Sequence, residues 1–190
     1  MCSTNSGSDP LVFRSSRPLA VLLLCLAASP VAAADSIETS GDILRVALPL
    51  AAWGLTFERG DRPGRIQFYK AFGATVASTM LLKTVIDKER PDDDGNDDAF
   101  PSGHTATAFS GASFIQRRYG WRLGAPAYLV AGYVGWTRID ADKHDGWDVL
   151  AGAALASALT YLLVTPDHRS VDITATIVGE EWYVGVAARW

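Results

Sequence analysis

Apolar residues recur three and four positions apart between Asp42 and Val164, and breaks rich in glycine, proline or charge separate five such runs. This spacing is typical of helices that bury one face. The runs predict helices over 42–57, 65–88, 102–119, 123–136 and 145–164. Pro49 kinks or delays the first helix, because proline disrupts a helix interior. The sequence therefore predicts an all-α protein, a compact helical bundle of about five or six helices.

After Pro166 the apolar period changes from helical to two. Apolar and polar residues alternate over 171–177 and again over 184–190, with Gly179-Glu180-Glu181 between the two stretches. Such alternation indicates strands with one buried face, so we predict a short C-terminal β-hairpin. A lone hairpin is only marginally stable in water, and we expect this one to pack on the bundle or to pair with another chain.

The first 34 residues have the pattern of an export signal peptide. Two arginines precede an apolar run over 19–28 and a small-residue run over 32–34, and the apolar run is too short for a comfortable membrane span. An uncleaved N-terminal anchor helix is the alternative. A lipoprotein anchored at Cys25 is disfavoured, because Leu24 stands where a small residue is expected. Both cysteines lie in this segment, so we expect an exported protein whose mature part contains no disulfide.

The chain divides into a signal or anchor over 1–34, a helical domain over 35–165 and the hairpin over 166–190. A formal charge of −4, with no patch rich in lysine and arginine, excludes nucleic acid as the main partner. The apolar helix cores are shorter than the roughly 20 residues that cross a bilayer, which favours a compact soluble bundle. The fifth run is dense in alanine and glycine, as in membrane bundles, so a membrane-embedded form stays open. The pattern does not predict the oligomeric state.

One strong charge run, over 92–98, contains five aspartates. It lacks the alternating ligands and the distal bidentate glutamate of an EF-hand calcium loop. We therefore predict a solvated acidic loop rather than a metal site. Because the run precedes an anion-binding turn, a gating or divalent-ion role stays open.

That turn, Phe100-Pro101-Ser102-Gly103-His104, combines three features that suit a phosphate group. Ser102 is placed to cap a helix whose first N–H groups have no partner within the helix, and such an end attracts anions. Gly103 lets the backbone come close to a ligand, and His104 adds a proton donor that works near neutral pH. An ordinary capped helix is the alternative for these residues alone.

Two further pairs of residues carry candidate chemistry. Lys83 and Arg90 lie seven apart, which places both cations towards one face of a helix. His144 and Asp148 lie four apart, so the carboxylate can hold Nδ1–H of the imidazole and leave Nε2 free as a nucleophile. Either pair alone is more often a surface contact.

Taken together, the motifs resemble the tripartite signature of the type 2 phosphatidic acid phosphatase and vanadium haloperoxidase superfamily. The matching stretches are Lys83-x6-Arg90-Pro91, then Pro101-Ser102-Gly103-His104, then Arg138-x5-His144-x3-Asp148. They cover about a third of the chain. One departure is Thr137, where the superfamily usually has serine; the hydroxyl is kept, and the added methyl alters packing below the site.

The resemblance implies a helical-bundle fold and a metal-independent phosphohydrolase without a cofactor. Three cations, Lys83, Arg90 and Arg138, would hold the phosphoryl oxygens. Ser102 and the backbone N–H of Gly103 would complete this phosphate-binding group. Spread positive charge and a helix N-terminus are what phosphoryl transfer needs in place of Mg²⁺.

The same resemblance assigns three catalytic residues. His144 would attack phosphorus in line and form a phosphohistidine, and Asp148 would orient His144. His104 would protonate the leaving oxygen and later help to activate water.

These inferences predict an exported phosphatase that cleaves phosphate monoesters or diphosphates. The apolar helices favour a phosphorylated lipid as the substrate. We expect a periplasmic or membrane-associated protein whose site faces the extracytoplasmic side. A vanadate-dependent haloperoxidase and a non-catalytic, anion-binding membrane protein are the alternatives.

Overall fold

The computed structural model describes residues 35–91, 95, 98–167, 171–178 and 181–188. This part of the chain contains five α-helices and two β-strands. The helices are α1 Asp35–Glu58, α2 Arg62–Val85, α3 Gly103–Tyr119, α4 Trp121–Asp140 and α5 Gly146–Leu163. The strands are β1 Val171–Val178 and β2 Glu181–Ala188.

Helix α3 lies at the centre of the bundle and contacts each of the other four helices. Many of its buried residues are small, which lets neighbouring backbones come close on several sides. These small residues are Thr105, Ala106, Ala108, Ser110, Gly111, Ala112 and Ser113. Larger apolar side chains fill the core beside them, including Leu48, Leu55, Phe68, Phe114, Ile115 and Val134.

Two glycines mark the points at which helix backbones meet. A Cβ on Gly111 of α3 would lie 2.7 Å from the backbone nitrogen of Pro49 in α1. A Cβ on Gly152 of α5 would lie 2.5 Å from the carbonyl oxygen of Ser102, at the start of α3. Since a side chain cannot fit at either contact, glycine sets how closely α1 and α5 pack against α3.

A buried ion pair joins three segments at the C-terminal end of α3. Asp61, which caps α2, accepts hydrogen bonds from Nε and Nη2 of Arg118 at 2.7 and 2.6 Å. Nη1 of Arg118 donates to the carbonyl oxygen of Thr165 at 2.8 Å. Because both charges are buried and fully hydrogen-bonded, this pair fixes the α1–α2 turn and the segment after α5 to α3.

The first two helices differ from their predicted bounds. Helix α1 begins at Asp35 rather than at residue 42, and it continues through Pro49. Helix α2 ends at Val85 rather than at residue 88, because Ile86 is extended. Beyond it, the carbonyl oxygen of Lys88 accepts a hydrogen bond from the Ala99 N–H at 3.0 Å, which pairs this segment with the acidic loop.

The other helix bounds have local causes. Helices α3 and α5 begin one residue later than predicted, because Ser102 and Asp145 are their N-caps. Helix α4 begins at Trp121, directly after Gly120 at φ 87°, rather than at residue 123. It extends to Asp140 rather than to residue 136.

The all-α prediction is confirmed for the bundle, since the regular elements described between 35 and 167 are helices apart from one isolated bridge between Lys88 and Asp98. The backbones of β1 and β2 pair antiparallel, with Val171 opposite Ala188. The export signal predicted over 1–34 lies outside the described residues, as do residues 92–94 and 96–97 of the acidic run.

Replacing the two helical glycines Gly111 and Gly73 by alanine is expected to change stability in opposite directions. Gly111→Ala places a methyl group against the α1 backbone and should lower the free energy of unfolding by about 2 kcal/mol. Gly73→Ala, in open space on α2, should raise it by about 0.5–1 kcal/mol through helix propensity. Thermal unfolding in mild detergent measures both changes. Equal shifts would contradict the α1–α3 contact.

Candidate active site

A cavity of about 520 Å³ opens where the N-terminal part of α1, the end of α2, the start of α3 and the end of α4 meet. Polar and charged side chains form much of its wall. Its charged and titratable lining residues are Glu38, Asp42, Arg45, Lys83, Arg90, Asp98, His104, Arg138, Lys143 and His144. Cations from α1, α2, α4 and the loops after α2 and α4 therefore face one space.

Most of the residues predicted from the three motifs line this cavity. They are Lys83, Arg90, Gly103, His104, Arg138 and His144. Ser102 and Asp148 are not among the lining residues, and both are fully buried. Lys83 and Arg90 both line the cavity although α2 ends between them, so the prediction that they share one helix face was wrong.

Ser102 supports the start of α3 from below the cavity. Its side-chain oxygen accepts from the backbone N–H of Thr105 and, at 3.0 Å, from the Thr105 hydroxyl. Its backbone N–H donates to the carbonyl oxygen of Asp148 at 2.9 Å, which joins α3 to α5. The predicted N-cap is thus present, whereas binding of a phosphoryl oxygen by this hydroxyl stays a prediction.

His144 and Asp148 are close, but no hydrogen bond joins them in this structure. Nδ1 of His144 lies 3.7 Å from Oδ2 of Asp148, and this nitrogen has no hydrogen-bond partner among the described residues. Burial, followed by the charge of Lys83, lowers the pKa of His144 below its ordinary value, although Asp148 opposes this shift. The imidazole is therefore neutral at pH 7, as a nucleophile must be.

His104 has a partner that the sequence did not indicate. Its Nε2 lies 2.8 Å from Oδ1 of Asp42 on α1. Burial, then the charges of Arg45 and Arg138, lowers the pKa of His104 to about 4 against the opposing effect of Asp42. A phosphate dianion held among these cations would cancel their charge and raise that pKa, so protonation of His104 at neutral pH would require a bound anion.

Carboxylates of the protein pair with the cations predicted to hold phosphate. Oδ1 of Asp98 accepts from Nε and Nη2 of Arg90 at 3.0 and 2.7 Å, and Oδ2 lies 3.5 Å from Nζ of Lys83. Arg138 lies 3.3 Å from Asp42 and donates to the backbone carbonyl of Glu38 at 2.9 Å. A bound phosphate would therefore compete with these carboxylates.

Asp98 also corrects the prediction for the acidic run. Its side chain is about half exposed, yet it contacts two cations of the cavity instead of lying free in solvent. Burial raises the pKa of Asp98, but the charges of Lys83 and Arg90 outweigh this effect and lower the pKa below its ordinary value. The predicted absence of a metal site stays a prediction, because most of the run lies outside the described residues.

Comparison with known proteins identifies the family. Residues 66–171, more than half of the chain and all three motifs, match the PAP2 superfamily. The chain belongs to the PAP2 superfamily.

Two relatives carry the names of lipid A phosphatases. The lipid A 1-phosphatase of Porphyromonas gingivalis is 45% identical over 134 residues, which cover 64% of this chain and 29% of that protein. The lipid A 4'-phosphatase of Helicobacter pylori is 35% identical over 96 residues, 47% of this chain and 48% of that protein. This PAP2 chain thus spans less than half the length of either relative.

One solved structure shares the PAP2 fold of this chain. The crystal structure of Aquifex aeolicus LpxE superposes with a TM-score of 0.56 at 20% sequence identity, covering 80% of this chain and 98% of that one. At this identity the likeness concerns the fold alone.

Thr137 replaces the serine that is usual in PAP2 proteins, and the structure shows how it fits. Its hydroxyl donates to the carbonyl oxygen of Val134 at 2.8 Å and accepts from Nε of Arg138 at 3.2 Å. Gly41 of α1 packs directly on it, since a Cβ there would lie 2.2 Å from the hydroxyl oxygen. The threonine therefore keeps the contact to Arg138, and glycine on α1 makes room.

Asp98→Asn is expected to bind inorganic phosphate about threefold to tenfold more tightly, because Lys83 and Arg90 lose a competing carboxylate. Titration calorimetry measures the Kd. Asp87→Asn, an equal charge change at an exposed residue nearby, is the matched control and should leave the Kd unchanged. Weaker binding by Asp98→Asn would mean that Asp98 holds the two cations in place rather than competing with the ligand.

Proposed function

We propose that this PAP2 protein is a metal-independent phosphohydrolase that cleaves phosphate monoesters or diphosphates, with phosphorylated lipids as its substrates. The observation that carries the proposal is the convergence of His104, His144 and three cations on one cavity. Family membership and the names of the relatives support it. Anion binding alone would need the cations but not a buried histidine backed by a buried carboxylate.

In the proposed first step, Lys83, Arg90 and Arg138 hold the phosphoryl oxygens. The lone pair on Nε2 of His144 forms a bond to phosphorus, and the bond from phosphorus to the leaving oxygen breaks. That oxygen takes a proton from His104, which the bound phosphate has charged. Positive charge develops on His144, and the 3.7 Å separation from Asp148 closes to a hydrogen bond.

In the second step, water attacks the phosphohistidine. Neutral His104 takes a proton from the water as its oxygen bonds to phosphorus. The phosphorus–nitrogen bond breaks, and its electron pair returns to Nε2 of His144. Inorganic phosphate leaves, and both histidines regain their starting protonation.

Exposed apolar side chains support a lipid substrate and membrane association. Helix α1 carries an outward stripe, Ile43, Val46, Leu50, Trp53 and Phe57, each between 37% and 57% exposed. The spacing of three and four residues places them on one face. Helix α5 is also long and apolar enough to cross a membrane, and only 22% of its residues are buried. Apolar surface of this extent is typical of contact with lipid or another protein.

We propose that these apolar faces contact the lipid of the membrane in which the substrate resides. The chain is exported, and the cavity faces the extracytoplasmic side. The relatives are named for lipid A, which makes lipid A the first substrate to test beside simpler lipid phosphates.

His144→Ala is expected to lower phosphate release from a lipid phosphate by at least about 10³-fold, because the nucleophile is lost. The variant should still bind inorganic phosphate, since the three cations remain. In the wild type, acid-labile and base-stable labelling by a radioactive substrate would report the phosphohistidine. Phosphate binding by the wild type without any turnover would instead support the non-catalytic alternative.

Retention of the protein in the membrane fraction should survive washing with high salt and end only on addition of detergent. The physical reason is that burial of the α1 stripe is apolar and not screened by salt. The double variant Val46→Gln/Leu50→Gln, at two exposed positions, should be released more readily. Extraction of the wild type by salt alone would contradict the proposed lipid contact.

A further inference from the structure

A lysine outside the predicted site residues holds the carboxylate behind His144. Lys88 lies in the loop after α2, inside the spacer that separates Lys83 from Arg90. Its Nζ lies 2.6 Å from Oδ1 of Asp148 and 2.7 Å from Oδ2 of Asp145. Sixty residues of chain separate Lys88 from Asp148, so this contact is set by the fold.

Both carboxylates in this contact belong to the start of α5. Oδ1 of Asp145 accepts from the backbone N–H groups of Trp147 and Asp148, and Oδ2 of Asp148 accepts from the Asp145 N–H at 3.0 Å. Together they form the capping box of α5. Nζ of Lys88 donates a hydrogen bond to the remaining oxygen of each carboxylate. The Asp148 carboxylate is thereby fixed at both oxygens, with the Oδ2 edge towards His144.

Charge compensation requires such a cation. The Asp148 side chain is 0% exposed, and a buried carboxylate is costly unless it is paired and hydrogen-bonded. The neutral imidazole of His144, at 3.7 Å, supplies neither a charge nor a hydrogen bond here. Lys88 is the cation in direct contact with Asp148 among the described residues.

We propose that Lys88 is a positioning residue for the nucleophile: it fixes the orientation of the Asp148 carboxylate, pairs with its charge and so limits the basicity of His144. Only the predicted effect of Lys88 on the reaction rate rests on the proposed function. Partial burial opposes the charge of Lys88, but the hydrogen bonds to Asp145 and Asp148 raise its pKa above the ordinary value, so it is charged at neutral pH.

The charges around His144 determine the direction of the effect. Lys83 at the end of α2 and Arg90 in the following loop lower its pKa, whereas Asp148 and the backbone of Ala99 raise it. Asp98 forms ion pairs with Lys83 and Arg90, and Lys88 pairs with Asp145 as well as with Asp148. Removing the charge of Lys88 leaves the charge of Asp148 uncompensated, which raises the pKa of His144. As the pH falls, the variant therefore loses the neutral form of His144 at a higher pH than the wild type does.

The test compares Lys88→Gln with the wild type in detergent by two measurements. The acid limb of kcat/KM for a lipid phosphate should move to higher pH by about one unit. The imidazole of His144, one of three in the chain and assigned with His144→Ala, should titrate at higher pH by nuclear magnetic resonance. Lys88→Arg should restore both, whereas Lys70→Gln, at an exposed lysine of α2, should change neither.

A lower unfolding temperature with an unchanged acid limb and an unchanged His144 titration would overturn the inference and leave Lys88 a purely structural residue. If Lys88→Gln does not fold, Lys88→Met keeps the packed aliphatic stem without the charge and should give the same shift. The titration needs no turnover. An inactive wild type would therefore refute the proposed function, while an unshifted titration would refute the role of Lys88.

Discussion

The crossing of α3 and α5 is the contact on which the site depends. At Gly152 the backbone of α5 packs against the carbonyl of Ser102, and the Ser102 N–H donates to the carbonyl oxygen of Asp148. One backbone hydrogen bond thus ties the residue that caps α3 to the carboxylate residue that lies 3.7 Å from His144. A side chain at the crossing would push α5 away and carry Asp148 with it. The second and third motifs are held together by main-chain contact rather than by their own side chains.

Concentrated positive charge is the second constraint on this end of the bundle. Lys83, Arg90 and Arg138 face one cavity, and like charges brought together in a partly buried space repel one another. Two carboxylates from other segments, Asp98 and Asp42, form ion pairs with these cations and reduce the repulsion. Asp42 also contacts His104, where its charge opposes the lowering of the His104 pKa by burial and by the neighbouring arginines.

The sequence predicts features that depend on near neighbours. Helical periodicity indicates the bundle, and the cap at Ser102 follows from its residue type at the start of an apolar run. Resemblance to a known family identifies the residues of the three motifs, and most of these residues line the cavity. The partners are not predictable in this way. Asp42 lies 62 residues from His104 and belongs to no motif, so only the packing of α1 reveals the contact.

Helix ends show the same division between local and tertiary causes. Arg90-Pro91 is a local stop signal, yet α2 ends five residues before that arginine. Ile86 is already extended, and beyond it Lys88 pairs with Asp98 of the acidic loop, ten residues further along the chain. That early end releases Lys88 from the helix and lets it reach Asp148. Lys88, a spacer residue of the first motif, therefore owes its contact with Asp148 to tertiary structure.

The pairing of Asp98 with Lys83 and Arg90 also has a consequence for ionic strength. A phosphate that enters takes the place of the Asp98 carboxylate beside Lys83 and Arg90. The net gain is therefore the difference between two similar attractions, that of the phosphate and that of the carboxylate for the same cations. Salt screens both terms, and much of its effect cancels. The exchange also works in reverse, because Asp98 regains its ion pairs with Lys83 and Arg90 once the phosphate has left. A site built in this way favours exchange of the bound anion over its tight retention.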